Sequence, residues 1–398
     1  MDITIHPQKL SGTLSAIPSK SQAHRLLICA AFSDAPTSLI CTATNQDIEA
    51  TASCLRSLGA VIERTNTSYE IVPVSKIPEK AILDCNESGS TLRFMLPIAG
   101  ALGVDATFLL AGRLPHRPLS PLWEEMERMG CQLSRPAENA IRCKGKLQAG
   151  TFRIDGSVSS QFITGLIYAA ALMDETSTIE VTGKLESKPY IDMTQQALKA
   201  FGVQTDQYCV TGCRPFHTPG KLAVEGDWSN GAFFLAAKKL GNSVNTTGLT
   251  QNSAQGDRAC ADLLSRLHED IVIDAADIPD LVPILAVTAG AFSGATFHNI
   301  ARLRLKESDR VATVASMVEN LGGKAIATEN ELRILPGKYH SCTIDSAGDH
   351  RIAMAAAIAA TVADGPVTIL GAQCVAKSYP TFWDEYKRLG GSYEQYIR

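Results

Sequence analysis

Along this chain a polar turn bearing Ser, Asp or Glu passes repeatedly into an Ala- and Leu-rich stretch, at Ser19–Phe32, Glu87–Leu102, Ser157–Leu172, Asp227–Leu240, Asp280–Phe292 and Ser346–Val362. Segments apolar on nearly every face predict buried helices, and the polar residues ahead of them predict N-caps. Each is followed by a second, amphipathic pattern with apolar residues at helical spacing, as in Ile48/Ala52/Leu55 and Leu122/Met126/Met129. Most copies end in a large apolar residue plus Gly: Leu58-Gly59, Met129-Gly130, Phe201-Gly202, Leu321-Gly322 and Leu389-Gly390. A Gly there suits a left-handed C-cap. The fourth copy, ending near Leu267, lacks it. Short β-branched runs such as Ile179-Glu180-Val181 and Val367-Thr368-Ile369-Leu370 predict strands. The helix-ending glycines lie about 70 residues apart in the N-terminal half, which predicts an α/β protein of six strand-and-two-helix repeats. Six units fit either one ring or two sets of three, and periodicity alone does not choose.

Composition narrows the class. With 398 residues, 45% apolar and 20% charged, the chain reads as an ordinary soluble protein with room for two cores. A net charge of −4 argues against a partner such as nucleic acid or an anionic membrane, so any anionic ligand must meet local basic clusters. Eleven cysteines, odd in number and scattered singly, many in apolar helical stretches such as Leu27-Ile28-Cys29-Ala30, predict reduced thiols rather than a disulfide framework. The start Met1-Asp2-Ile3-Thr4-Ile5 has no basic-then-apolar leader, and no apolar run reaches spanning length, so the cytoplasm is the expected address.

The conspicuous polar residues gather at the expected starts of the buried helices. These are Ser19-Lys20-Ser21 with Arg25, Glu87-Ser88-Gly89-Ser90-Thr91 with Arg93, Ser157-Val158-Ser159-Ser160-Gln161, and Asp349-His350-Arg351. Helix N-termini attract anions through their open N–H groups and dipole. Taken singly, a Ser or Asp there is ordinarily a plain cap. The recurrence of a cation at the start of an apolar helix, where burial without a counter-charge is costly, favours a pocket for phosphate or carboxylate. Gly89 would let a ligand approach the backbone. Gly112–Pro118 reads as a basic, proline-stiffened loop, and Arg302–Arg310 as a strand running into a helix, with Arg302, Arg304 and Lys306 on one strand face and Lys306, Glu307 and Arg310 at the junction. That junction fits a solvated, salt-bridged helix start, or a carboxylate tuned between cations for proton transfer.

Nine motifs, in order and spanning essentially the whole chain, resemble the 5-enolpyruvylshikimate-3-phosphate synthase family. They are Ser19-Lys20-Ser21 with Arg25, Gly89 to Arg93, Arg117-Pro118, Gly156 to Phe162, Ser187-Lys188-Pro189-Tyr190-Ile191-Asp192, Ile278-Pro279-Asp280, Lys306 to Arg310, Asp349-His350-Arg351 and Ala376-Lys377-Ser378-Tyr379-Pro380. The resemblance implies a two-domain inside-out α/β barrel with three repeats per domain and the active site in the interdomain cleft. One domain would comprise residues 1–17 and 226–398 and the other 18–225, with crossovers near Ile17-Pro18 and Glu225-Asp227. It implies transfer of the enolpyruvyl group of phosphoenolpyruvate to the 5-hydroxyl of shikimate 3-phosphate, in the shikimate route to aromatic amino acids. Shikimate 3-phosphate would meet Lys20, Ser21, Arg25, Ser159, Ser160, Gln161, Ser187, Tyr190, Asp280 and Lys306. Phosphoenolpyruvate would meet Lys20, Gly89, Arg93, Arg117, Gln161, Arg310, Arg351 and Lys377. Asp280 is the expected base and Glu307 the expected acid, with Lys20 sharing proton transfer or electrostatic work. No cofactor is expected, and the chain is expected to act as a monomer.

Two positions depart from the family pattern. Glu87 stands where many members have Asn, and Ser90 replaces the usual Thr, while the retained Gly89 implies sensitivity to the phosphoenolpyruvate mimic glyphosate. The sister enzymes acting on UDP-N-acetylglucosamine usually carry a reactive Cys in the loop corresponding to Arg113–Arg117, where this chain has Pro115 and His116. A non-catalytic anion-binding relative would have lost Asp280 and Glu307. Cys209, Cys213 and His217 fall four residues apart, but Gly212 and Pro215 interrupt one helix face and no fourth ligand is evident, so no metal is expected.

Overall fold

Every predicted helix forms, because local signals and burial agree along the chain. The computed structural model describes residues 1–396. Among these the α-helices are, in chain order, α1 (Lys20–Ala31), α2 (Gln46–Ser57), α3 (Gly89–Leu102), α4 (Leu122–Arg128), α5 (Ser160–Leu172), α6 (Lys188–Ala200), α7 (Trp228–Lys239), α8 (Cys260–Arg266), α9 (Val282–Gly290), α10 (Arg310–Asn320), α11 (His350–Ala360) and α12 (Phe382–Arg388). The odd-numbered helices are the buried ones: Ala23 to Ala31 in α1, all of α9 and all of α11 lie in the interior. Ser19, Ser88, Ser159, Asp227 and Asp349 cap α1, α3, α5, α7 and α11, each accepting a first-turn N–H. Helix α9 is the exception. It begins after Leu281 with Pro283 in its first turn and has no side-chain cap, so Asp280 lies outside the helix and turns to other partners.

The strands explain the glycines. In the clearest repeat, Lys80–Asp84 pairs in parallel with Asp105–Leu109 through the α3 crossover, and the hairpin Cys131–Ala137/Ala140–Gly145 then folds back antiparallel after α4. The same order of strand, buried helix, strand, amphipathic helix and hairpin recurs around α5 and α9, and around α11 with Asp2–His6 in place of one hairpin strand. Gly59, Gly130, Gly202, Gly322 and Gly390 all adopt positive φ where the chain leaves the amphipathic helix for the next strand. The fourth repeat has no hairpin. Its sheet is the parallel pair Ser11–Ser15/Ser243–Thr247, and α8 leads directly to Ile271–Asp274, the first strand of the next sheet, so no Gly is needed after Leu267.

The chain divides into two compact units, Pro18–Val224 and Met1–Ile17 with the chain from Glu225 onward. Each has its own core, one rich in α1, α3 and α5 residues, the other in α7, α9 and α11 residues. In the first unit the strand Lys221–Ala223 supplies the parallel partner of Thr37–Ile40. In the second, Asp2–His6 lies between Val367–Leu370 and Ser392–Tyr396.

Two expectations need correction. Residues 301–305 are not a strand: Ala295–His298 ends at Asn299, which has φ 58°, and Ala301–Leu305 winds into a 3-10 turn. The cations therefore diverge, Arg302 donating to the Ala276 carbonyl and Arg304 to the Thr328 carbonyl, while Lys306 approaches Asp280. The cysteines are also less helical than expected. Cys29, Cys54 and Cys260 lie in helices, whereas Cys131, Cys143, Cys209 and Cys342 lie in strands, and all eleven are free thiols. Among the described residues no helix is long and apolar enough to cross a membrane, and no group of three or more His, Cys, Asp or Glu is placed to hold a metal.

Candidate active site

In the unit Pro18–Val224, two guanidiniums crowd the start of α3. A methyl placed on Gly89 would lie 2.7 Å from Arg117 Nη1 and 3.0 Å from Arg93 Nη1. Two cations thus meet the open N–H end of a helix, whose dipole already favours an anion. Arg93 Nη1 donates to Gln161 Oε1 at 2.7 Å and Nη2 to the Pro118 carbonyl at 3.1 Å, while Gln161 Nε2 donates to Ser90 Oγ at 2.9 Å. The backbone beneath is held closely. Pro97 removes the N–H that would meet the Arg93 carbonyl in a regular helix, and a methyl on Gly165 of α5 would overlap that carbonyl. The Gln161 and Arg93 side chains are therefore brought together by a helix contact that only Gly permits.

Arg25, one turn into α1, is buried and oriented by neutral partners. Its Nε donates to Thr194 Oγ1 at 2.9 Å, Nη1 to the Ser21 carbonyl at 2.6 Å and Nη2 to the Tyr190 carbonyl at 2.7 Å. Ser187, at the start of α6, has φ 57°, a left-handed conformation that a non-Gly residue adopts at a cost and that tends to mark functional positions. Ser159 caps α5, and Ser160 is buried as its first residue. Lys20 Nζ pairs with Asp47 Oδ2 at 2.9 Å, tying α1 to the first turn of α2. Beneath them His24 Nδ1 meets Thr51 Oγ1 at 2.7 Å, which meets Thr91 Oγ1 at 2.7 Å, which donates to the cap Ser88 Oγ at 2.8 Å. Burial, together with Lys20 and Arg25, holds the His24 imidazole well below its usual pKa, so it stays neutral in this chain of hydrogen bonds.

The other unit carries a different arrangement. Asp280 sits between two arginines, Oδ1 accepting from Arg310 Nη1 at 2.6 Å and Oδ2 from Arg351 Nη2 at 2.9 Å. Arg310 also donates to Glu307 Oε2 and to Asp349 Oδ2, both at 2.8 Å. Burial opposes the charge on Arg310, but Asp349, Glu307 and Asp280 more than reverse that and raise its pKa. Burial likewise works against an ionised Asp349, yet Arg310 outweighs it and holds its carboxyl below the usual range. Lys306 Nζ lies 3.9 Å from Asp280 Oδ1, and burial pushes its ammonium down to about 8. Lys377 donates to the Gly348 carbonyl at 3.1 Å, just ahead of α11.

The expected residues thus fall into two sets. Lys20, Ser21, Arg25, Gly89, Arg93, Arg117, Ser159, Ser160, Gln161, Ser187 and Tyr190 belong to Pro18–Val224; Asp280, Lys306, Glu307, Arg310, Arg351 and Lys377 belong to the other unit. Three acids outside the expected site set also take part. Asp47 orients Lys20, and Asp349 both caps α11 and clamps Arg310. Asp257, buried in the 3-10 turn Gly256–Ala259, is pushed up to about 7 by burial and by Asp280, against the opposing pull of Arg351. The position of Asp349 ahead of an apolar helix was a sequence signal for a cap, but no local pattern marks Asp257.

With this geometry in view, comparison with known proteins is informative. Residues 5–386 match the family described as EPSP synthase (3-phosphoshikimate 1-carboxyvinyltransferase). A 3-phosphoshikimate 1-carboxyvinyltransferase of Clostridium kluyveri is 38% identical over 425 aligned positions, covering 99% of this chain and 98% of the relative. The enzyme of the same name from Clostridium beijerinckii is 36% identical, covering 99% of both. An EPSP synthase structure from Acinetobacter baumannii superposes with a TM-score of 0.80 at 22% identity, over 99% of this chain and 100% of that one. The enolpyruvyl transferase NikO from Streptomyces tendae superposes with a TM-score of 0.78 at 15% identity, over 99% of this chain and 98% of that one. At such identities the superpositions speak for the fold, the two-domain inside-out α/β architecture built from strand-and-helix repeats. The family match and the full-length relatives go further: this chain belongs to the EPSP synthase family of enolpyruvyl transferases.

Proposed function

We propose that this protein transfers the enolpyruvyl group of phosphoenolpyruvate to the 5-hydroxyl of shikimate 3-phosphate and releases inorganic phosphate. The observation that carries the proposal is Asp280, a carboxylate fixed by two arginines, with Glu307 on the same Arg310. Addition needs a base at the attacking hydroxyl and an acid at the enol methylene. In this reading Asp280 takes the hydroxyl proton as oxygen bonds to C2, and Glu307 delivers a proton to C3. Elimination then removes a proton from C3, reforms the double bond and breaks the C2–O bond to phosphate. Arg93 and Arg117 at the bare start of α3 suit the phosphoenolpyruvate anion, since guanidinium forks match carboxylate and phosphate oxygens. Arg310, Arg351 and Lys377 would add to that charge, and Lys20 would neutralise developing charge or relay a proton. Arg25, Ser21, Ser159, Ser160, Gln161, Ser187, Tyr190 and Lys306 would hold the phosphorylated sugar acid.

The eleven free thiols fit a cytoplasmic enzyme, and no step of this chemistry calls for a metal or organic cofactor. The segment Gly112–Pro118 offers no thiol to a sister reaction on UDP-N-acetylglucosamine, and the next cysteine, Cys131, is buried in a strand. Purified protein mixed with phosphoenolpyruvate and shikimate 3-phosphate should release phosphate, whereas UDP-N-acetylglucosamine in its place should not. Phosphate release dependent on the nucleotide sugar alone would overturn the assignment.

A further inference from the structure

The segment that carries Arg117 is anchored to the residues preceding α3. The Ala111 N–H donates to the Asn86 carbonyl at 2.8 Å, and Asn86 itself adopts φ 48°. From there the chain winds tightly: Leu114 N–H donates to the Ala111 carbonyl, His116 N–H to that of Arg113 and Arg117 N–H to that of Leu114, all between 3.1 and 3.2 Å. Such a turn transmits any displacement at Gly112 directly to Arg117. Gly112 has φ +55°, and a methyl on it would lie 2.5 Å from Glu87 Cδ and 2.6 Å from Glu87 Oε2. The Glu87 carboxyl therefore rests on the bare Cα of Gly112, in space that any side chain would fill.

This placement accounts for a residue that the family resemblance left unassigned. A carboxylate two residues before Gly89 ought to repel an anion bound at the start of α3. Here it is turned onto the neighbouring loop. We propose that Glu87 is a positioning residue: seated on Gly112, its side chain fixes the 111–117 segment so that Arg117 lies over Gly89, and it thereby sets the affinity of the α3 N-terminus for an anionic ligand. The inference rests on the reading that phosphoenolpyruvate binds there, and it makes Glu87 act through Arg117 rather than by touching substrate.

The test is a double-mutant cycle with steady-state kinetics. Glu87→Ala should raise KM for phosphoenolpyruvate about tenfold while kcat and KM for shikimate 3-phosphate stay within about threefold, a split that general loosening would not produce. Glu87→Gln, which keeps the shape seated on Gly112, should lose less than about threefold. In an Arg117→Ala background, Glu87→Ala should add less than about twofold. Should Glu87→Ala not fold, Gly112→Ala displaces the same carboxyl without removing it and should raise the same KM. An unchanged KM for phosphoenolpyruvate, an equal rise in both KM values, or full additivity with Arg117→Ala overturns the proposal. Calorimetric binding of inorganic phosphate reads the seat without turnover. An inactive wild-type enzyme that binds phosphate about tenfold more tightly than Glu87→Ala would overturn the reaction assignment while sustaining the role of Glu87.

Discussion

Arg25 and Arg93 direct their forks at a threonine hydroxyl, a glutamine amide and backbone carbonyls, whereas Arg310 and Arg351 meet carboxylates at 2.6–2.9 Å. Neutral acceptors orient a guanidinium without cancelling its charge, an arrangement that suits the proposed anion seat. Carboxylate partners offset much of the charge, and the second pair also fixes the geometry of Asp280, Glu307 and Asp349, with Arg310 holding the Asp349 carboxyl below the usual range. Under the proposed reaction, the contrast would put anion capture chiefly in Pro18–Val224 and proton movement chiefly in the other unit.

Three perturbations break or sharpen that division. The largest effect is expected from Asp280→Asn and Glu307→Gln, each lowering kcat by about 10²–10⁴ while both KM values stay within roughly tenfold, because shape is kept and proton transfer is lost. Turnover like that of the wild type in either variant removes that residue from the chemistry. Next, Arg93→Lys should raise KM for phosphoenolpyruvate by about 10–50-fold with a smaller loss in kcat, since a point charge cannot reproduce the fork held by Gln161 and Pro118. A kcat loss without a KM change would instead place Arg93 on the proton-moving side of the comparison. The smallest effect concerns stability. The folded pKa of Asp257, about 7, lies above the ordinary carboxylate value, so the unfolded chain gives up this proton first and stability falls as pH rises from roughly 4 to 7. Asp257→Asn should therefore raise the melting temperature by a few degrees at pH 8.5, about 1–2 kcal/mol, with a smaller gain at pH 5. A gain independent of pH would show that packing, not charge, governs this position.

Much of this was legible along the chain because it is periodic. Caps at Ser19, Ser88, Ser159, Asp227 and Asp349, and the glycines after five amphipathic helices, are local devices that keep their meaning without tertiary context. The cations at the helix starts were likewise visible, since burying them without a counter-charge would be costly. Alternation misled at Arg302–Leu305, where carbonyls on two other segments capture the arginines and the backbone follows into a turn. The uncapped start of α9 was missed because Asp280 has the residue type of a cap but is engaged by arginines 30 and 71 positions away. Asp257 and the His24–Thr51–Thr91 chain are meetings of distant segments and have no sequence period to betray them.

The N-terminal strands carry one further implication. Ser11–Ser15 has its partner at Ser243–Thr247, and Asp2–His6 has its partners at Val367–Leu370 and Ser392–Tyr396. During synthesis Asp2–His6 must therefore wait for partners made more than 360 residues later, and Ser11–Ser15 for one made more than 200 residues later, while Pro18–Val224 can mature in between. Chaperone demand, and intolerance of insertions, should accordingly concentrate at residues 2–15.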